Sequence, residues 1–290
     1  MSMAKDIPIN NEVQRVVVFG GSGFIGKAIV SRLTKANVRV LSLSSKEVDL
    51  SDDQSIAKIG ALVKPTDSVI LLSALTPDKG KDITTFNKNI AMMANLVAAL
   101  KISGCAHLVY FSSDAVYSSQ SVYINENTLA APGDLYGLMH RTREIMGKEL
   151  NTPYLILRPT LVYGDGDTHN AYGPNRFTRN ALSGGKISLF GGGEELRDHI
   201  AVEDVADLTT LCIQSKAEGI LNLATGYSTS FYEVASMVKN SFSLNIEIEK
   251  SVRQNPIWHR HFDITRLIKR FPKYRFKSLS EHIARNSNKN

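Results

Sequence analysis

The chain has 290 residues, of which 43% are hydrophobic and 21% charged, and its formal net charge is +6. These values suit a globular protein with one large α/β domain and a smaller appendage. The longest apolar runs are strand-sized, which excludes a membrane-spanning helix and a membrane partner. Residues 1–10 are polar and resemble neither a secretory signal nor a transit peptide, so we expect a cytoplasmic location.

Apolar runs and helical patterns alternate through the first half of the chain. The β-branched run at 15–19 ends in glycines, which is typical of a parallel strand that is buried on both faces. Further strands are predicted at 38–43, 69–72, 107–111 and 153–157, and helices at 24–35, 86–102 and 135–150. This order predicts a doubly wound parallel sheet.

A glycine-rich turn follows the first predicted strand. Gly20 permits a tight turn, Gly23 lets backbone N–H groups approach a pyrophosphate, and Gly26 allows close packing of the helix on the strand. The turn therefore predicts a dinucleotide site in a Rossmann domain, with an ordinary tight loop as the alternative. Its remaining predicted cofactor contacts are Ser22, Phe24 and Ile25.

The second strand bears on the choice of cofactor. A carboxylate about 20 residues after the glycine turn would indicate NAD, and we identify none there. The end of this strand is instead Ser44-Ser45-Lys46, which can accept a 2′-phosphate and slightly favours NADP, unless it is merely a solvated turn. Asp49 and Leu50 are predicted to contact the adenine, although Asp49 could equally cap the next turn.

The composition changes after Tyr163 to Gly, Asp, Asn and Pro, where we expect the chain to leave the sheet. We assign 12–164 to the Rossmann domain, with a return at 199–224, and 165–198 with 225–290 to a smaller substrate-binding lobe.

The basic residues are dispersed apart from 253–277, so an anionic small substrate explains the charge and no nucleic-acid partner is expected. Cys105 and Cys212 lack metal-like spacing, which predicts reduced thiols and no metal.

Over residues 15–267 the chain resembles the extended short-chain dehydrogenase/reductases, the NAD-dependent epimerase/dehydratase family. This resemblance implies activity on nucleotide-activated sugars, cofactor contacts from Ser73, Ala74 and Asn89, and a homodimer formed through helices 86–102 and 135–150. The motifs that carry it are the glycine turn, Ser73-Ala74, Asn89, Asn95-Leu96, Phe111 to Tyr117, Tyr136, Arg158-Pro159, Val162 to Gly164, Arg197 to Ile200, and Glu203 to Ala206.

The resemblance also assigns the chemistry. Tyr136 is implied as the acid/base and Ser113 as the hydrogen-bond donor to the reacting oxygen, but the supporting lysine four residues after Tyr136 is replaced by His140. The i,i+4 spacing still lets His140 reach the nicotinamide ribose. Because neutral imidazole gives Tyr136 little electrostatic help, the alternatives are slower chemistry, shared acid/base work by His140, or a decayed site, while His140 could also be only a packed helix residue.

Asp114 occupies the place of an acid that assists elimination of water in sugar-nucleotide dehydratases, or it is a turn carboxylate. Ala115 stands where dehydratases carry a glutamate, so dehydration is disfavoured.

On the substrate side, the resemblance implies Asn175 and Arg197 as contacts to the nucleotide diphosphate, Phe190 near the nucleobase, and Arg260 as a weaker phosphate contact. Arg197 could instead form an interdomain salt bridge, and Phe190 could pack in the core.

We therefore expect an NAD(P)-dependent oxidoreductase or epimerase that acts on a nucleotide-activated sugar. The alternative is a cofactor-binding regulator or structural subunit, as in family members that lack the active-site lysine. The retained pair of Ser113 and Tyr136 favours an enzyme.

Overall fold

The computed structural model describes residues 13–167, 170, 172–242, 245–254 and 256–287. Its strands are β1 Arg15–Phe19, β2 Arg39–Leu43, β3 Ser68–Leu71, β4 His107–Phe111, β5 Tyr123–Ile124, β6 Tyr154–Pro159, β7 Leu161–Tyr163, β8 Lys186–Phe190, β9 Leu196–Ala201, β10 Gly219–Leu223, β11 Ser228–Ser230, β12 Glu247–Ser251 and β13 His261–Phe262. Its helices are α1 Phe24–Lys35, α2 Ser55–Leu62, α3 Ile83–Ser103, α4 Leu135–Met146, α5 Pro174–Gly184, α6 Val202–Gln214, α7 Phe231–Ser241, α8 Thr265–Arg270 and α9 Leu279–Ser287.

The central sheet confirms the predicted parallel α/β architecture. Its six strands have the order β10-β6-β4-β3-β1-β2, and the pairs from β2 to β6 are parallel. The chain therefore leaves β1 toward one edge of the sheet and returns at β3 on the other side of β1. In such sheets a ligand crevice forms beyond the carboxyl ends of the strands at this switch point.

Local signals explain the element boundaries. Helix α1 and strand β4 have the predicted bounds, whereas α3 begins earlier because the Asp82 carboxylate accepts the Thr85 N–H at 2.8 Å. Helix α4 ends at Met146 and is followed by a 3-10 turn, Gly147–Glu149. Helix α2 was not predicted, because it is short and buries only Ser55 and Ile59. No helix within the described ranges is long and apolar enough to cross a membrane.

The chain divides into two compact units. The first contains the described part of 1–116 with 131–158 and 205–221, and the second contains 117–130, 159–204 and 222–290. In the first unit, α2 and α3 pack on one face of the sheet around Ile59, Leu96 and Tyr110. The second unit has its own core, in which α5, α7 and β8 meet around Phe177, Leu189 and Val234. Residues 117–130, 159–164, 199–204 and 222–224, which we had placed in the Rossmann domain, fall in this second unit.

Candidate active site

The glycine turn after β1 has the shape that a pyrophosphate requires. Gly20 has φ +88, and a Cβ there would lie 2.8 Å from the Ser73 nitrogen, while a Cβ on Gly26 would lie 2.2 Å from the Gly20 oxygen. Gly23 caps α1 without any side-chain hydrogen bond, and the first turn of α1 carries no acidic residue. The first amides of α1 are thus left for an anion, so these residues fit the phosphates of a dinucleotide.

The other predicted residues of this turn have different environments. The Ser22 side chain is exposed and Ile25 is half-buried, whereas Phe24 is buried at the start of α1. Ser22 therefore lies where a phosphate could reach it. Phe24 and Ile25 would contribute their backbone amides.

A carboxylate that the sequence analysis missed lies at the end of β2. Glu47 accepts the Ser44 N–H at 2.8 Å and also the Ser44 hydroxyl, and these hydrogen bonds hold the pKa of Glu47 below its usual value. The statement that no carboxylate follows the turn at this spacing is therefore wrong. The missed signal is the pattern Ser-x-x-Glu, in which serine and glutamate bond each other locally. Glu47 thus occupies the N–H and the hydroxyl of Ser44. We had assigned Ser44 to a 2′-phosphate, together with Ser45 and Lys46.

The predicted adenine contacts are engaged in the protein itself. The Asp49 carboxylate accepts the Ser51 N–H at 2.9 Å and the Ser51 hydroxyl at 2.7 Å, which is the local turn that we gave as the alternative. The Leu50 side chain is buried in the core, and the Leu50 carbonyl accepts the Asn95 amide at 2.9 Å. An adenine contact by either residue remains a prediction.

The loop after β3 is held in place by hydrogen bonds from Asn89 of α3. The Asn89 side chain is buried, accepts the Leu75 N–H at 2.8 Å and donates to the Leu75 carbonyl at 3.0 Å. Asn89 therefore positions the loop that carries Ser73 and Ala74, and the Ser73 nitrogen lies beside Gly20. This contact brings the turns after β1 and β3 together.

Helix α4 brings the predicted proton-transfer pair together. Asp134 caps the helix by accepting the Gly137 N–H at 2.7 Å, and Gly137 lies so close to the 3-10 turn 114–116 that a Cβ would be 2.2 Å from the Ala115 oxygen. The Ser113 hydroxyl lies close enough to the Tyr136 side chain to lower the pKa of the phenol. This pair can relay a proton to an oxygen placed between them.

The surroundings of Tyr136 favour its protonated form. Burial and, secondarily, the negative charge of Asp114 raise the pKa of Tyr136 to about 12. The Ser113 hydroxyl and the positive charge of Arg143 act in the opposite direction. Asp114, in the first position of the 3-10 turn, therefore acts on Tyr136 electrostatically.

His140 faces the interior of the first unit. Its side chain is only 3% exposed, its Nδ1 lies 2.6 Å from the Tyr110 hydroxyl, and its Nε2 is buried without a hydrogen-bond partner. Burial, and secondarily the charge of Arg143, hold the pKa of His140 well below 6.5. The imidazole is thus neutral at physiological pH. Its predicted contact to a ribose is not tested by this geometry.

A buried ionic network on the same helix was not predicted. The Glu144 carboxylate accepts Arg158 Nε at 2.8 Å, Arg158 Nη2 at 2.7 Å and the Ser112 hydroxyl at 2.6 Å, and Arg141 reaches it at 3.1 Å. The adjacent Arg143 is fully buried and takes no part in this network. The available signal was Glu144, a charged residue eight positions after Tyr136 on the same helix face.

A cavity of about 160 Å³ lies beside Tyr136 in the first unit. Its lining includes Tyr136, Met139 and Asn89, and its charged members are Lys81, Asp82 and Asp134. The cavity thus places space for a small group against the Tyr136 side chain.

Two predicted substrate residues of the second unit have strong local partners. Asn175 accepts the Gly164 N–H at 3.2 Å and donates to Asp167 at 3.0 Å. The Arg197 guanidinium is partly buried and donates to Glu195 at 2.5 Å. Both side chains are therefore oriented by the protein itself.

The other two predicted substrate residues, Phe190 and Arg260, differ in the exposure of their side chains. Phe190 is 50% exposed, and its ring lies 4.8 Å from that of Tyr172 at an angle of 30°, so it presents an aromatic face. Arg260 is buried and donates to the Tyr117 carbonyl at 3.3 Å and the Ser118 carbonyl at 3.4 Å. Of the two, Phe190 is the more accessible.

Comparison with known proteins agrees with this fold. A GDP-6-deoxy-D-talose 4-dehydrogenase from Aggregatibacter actinomycetemcomitans is 28% identical over 88% of this chain and 87% of its own length. The Thermus thermophilus UDP-glucose 4-epimerase in complex with NAD has a TM-score of 0.81 at 23% identity, covering 95% of this chain and 98% of that one. A GDP-L-fucose synthetase from Naegleria fowleri bound to NADP has a TM-score of 0.81 at 19% identity, covering 98% and 95%.

The family model described as the NAD dependent epimerase/dehydratase family matches residues 16–224. This range contains the glycine turn, the Ser113–Tyr136 pair and helix α4. The chain belongs to the NAD dependent epimerase/dehydratase family.

Proposed function

We propose that the protein is an NAD(P)-dependent oxidoreductase or epimerase that acts at a sugar carbon of a nucleotide-activated sugar, with Tyr136 as the acid/base. The observation that carries the proposal is the closeness of the Ser113 hydroxyl to Tyr136, whose side chain lines the cavity in the first unit. The names of the relatives support position 4 of the sugar, since one is a 4-dehydrogenase and another a 4-epimerase.

The roles of the residues follow from their chemistry. A bound nicotinamide supplies the acceptor or donor of hydride. The Tyr136 hydroxyl donates a proton to the sugar oxygen in reduction and accepts it in oxidation, while Ser113 orients that oxygen by a hydrogen bond. Arg197 and Asn175 bind the diphosphate, Phe190 stacks on the nucleobase, and Arg260 is a weaker phosphate contact. Because Ala115 offers no carboxylate, loss of water is not part of the proposed reaction.

The cofactor choice depends on the turn after β2. Lys46 would attract the 2′-phosphate of NADP, whereas Glu47 would repel it and competes for Ser44. A preference for NADP therefore requires Glu47 to leave Ser44.

The test is turnover of a panel of nucleotide sugars and their 4-keto forms with NADH, NADPH, NAD and NADP. We expect Tyr136→Phe to reduce the rate about 10²- to 10⁴-fold, the range of general acid/base catalysis, while dinucleotide binding persists. An activity that survives Tyr136→Phe contradicts the assigned acid/base.

A second candidate is a dinucleotide-binding regulator. The observation that favours it is that His140, in the place of the lysine, contacts Tyr110 and is neutral. Dinucleotide binding without turnover of any panel member would support this role.

A further inference from the structure

Arg143 lies on the same side of α4 as Tyr136 and His140, seven and three residues after them. Its guanidinium is fully buried, and Nη2 donates to the Ser73 carbonyl at 2.9 Å. The guanidinium carbon lies 5.0 Å from the centre of the Tyr110 ring, and Nη1 lies 3.8 Å from the Met139 sulfur. The side chain thus reaches from the helix to the loop after β3 that carries predicted cofactor contacts.

This cation has no carboxylate partner among the residues that the structure describes. Glu144 follows it in sequence, but the Glu144 oxygens accept from Arg158, Ser112 and Arg141. Arg143 Nε is buried without a hydrogen-bond partner. An uncompensated buried charge costs stability, and such charges occur where function requires a field.

We infer that Arg143 supplies the permanent positive charge that the family's lysine would give, favouring the phenolate of Tyr136 and holding the Ser73 loop. This inference rests on the proposed function. Arg143 acts through Tyr136 and Ser73, and is therefore a positioning residue. His140 cannot do this work because it is neutral.

The groups around Tyr136 and Arg143 act in opposite directions. From the 3-10 turn and the helix cap, the charges of Asp114 and Asp134 raise the pKa of Tyr136, while Arg143 lowers it. From β4 and β6, Tyr110 and Tyr154 face Arg143, and burial keeps both phenols protonated. On α4 itself, Glu144 is the nearby carboxylate and is neutralised by Arg158. Removal of Arg143 would therefore leave Tyr136 facing mainly negative charge.

The test follows the titration of Tyr136 without any sugar substrate. Protein labelled with ¹³C at tyrosine Cζ is titrated with and without NAD, and the Tyr136 signal is assigned with Tyr136→Phe. We expect Arg143→Met to reduce the phenolate fraction of Tyr136 at a fixed alkaline pH about twofold or more, because loss of a positive charge on the same helix face raises the pKa of the phenol. Arg143→Lys should restore most of it.

Arg141→Met is the matched control, since Arg141 is a cation on the same helix that pairs with Glu144. It should leave the titration unchanged. Arg143→Met should fold with equal or greater stability, because it removes an unpaired buried charge. Lost stability with an unchanged Tyr136 titration would overturn the inference and assign Arg143 a structural role.

Sugar turnover is measured on the same variants. Turnover by the unmodified chain together with an Arg143-independent titration contradicts the inference alone. An Arg143-dependent titration in a chain that converts no panel sugar contradicts the proposed function alone.

Discussion

Tyr136 illustrates how burial determines the direction of proton transfer. With its pKa raised to about 12, the phenol is almost entirely protonated at neutral pH. A protonated phenol is ready to donate, as reduction of a keto sugar requires, whereas oxidation needs the scarce phenolate. We therefore expect reduction of a keto sugar to be faster than oxidation of the corresponding alcohol at neutral pH.

His140 leads to a prediction about acid stability. The pKa of the folded state lies well below 6.5, so below pH 6.5 the unfolded chain binds a proton that the folded chain refuses. Its contribution to stability is complete above pH 6.5 and is lost as the pH falls toward the folded-state pKa. Relative to His140→Gln, the wild-type free energy of unfolding should fall by up to about 1.4 kcal/mol per pH unit below pH 6. Urea denaturation at several pH values measures this.

If the free energy of unfolding has the same slope against pH in the wild type and in His140→Gln, His140 has the same pKa in the folded and unfolded states. The same shift bears on catalysis, since an imidazole with the usual pKa in the site would give a break in activity near pH 6 to 7. A group whose pKa lies well below 6.5 produces none there.

Glu47 leads to a prediction about cofactor choice. Glu47→Gln removes the negative charge that competes with a 2′-phosphate at Ser44, so the affinity for NADPH relative to NADH should rise about threefold or more. Lys46→Ala should change this ratio in the opposite direction. Nicotinamide fluorescence titrations measure both affinities.

Glu233→Gln is the matched control, since Glu233 accepts the Ser230 N–H and hydroxyl in the same way but in the second unit. It should leave the ratio unchanged. A ratio insensitive to both Glu47→Gln and Lys46→Ala would exclude this turn as the determinant.

Helices α3 and α4 are the elements on which the predicted homodimer depends. On α4, Leu138 is 44% and Ile145 is 52% exposed, and their spacing of seven residues places both on one face. We expect the double substitution Leu138→Glu and Ile145→Glu to convert a dimer into a monomer, because two buried charges would oppose pairing. Light scattering at micromolar concentration gives the mass.

Val252→Glu alters an exposed apolar side chain of the second unit and should leave the mass unchanged. A monomeric mass for the unmodified chain would contradict the homodimer itself.

Helix boundaries show which local signals sufficed for prediction. The glycine turn ahead of Phe24 and the apolar periodicity up to Lys35 predicted α1 to the residue. The cap at Asp82 lies outside the periodic stretch of α3, and α2 buries too little surface for a clear pattern. In the first half of the chain, short-range chemistry thus identified the long helices and missed the short α2.

For the molecule as a whole, the sequence was sufficient for the parallel sheet and the glycine turn. Strand alternation and positive φ at glycine are local properties that leave a pattern along the chain. The Tyr110–His140 hydrogen bond and the reach of Arg143 to Ser73 join residues from separate elements, 30 and 70 positions apart. Only the packing of α4 against β4 and the loop after β3 decides them, because side-chain direction depends on neighbours that the sequence pattern does not identify.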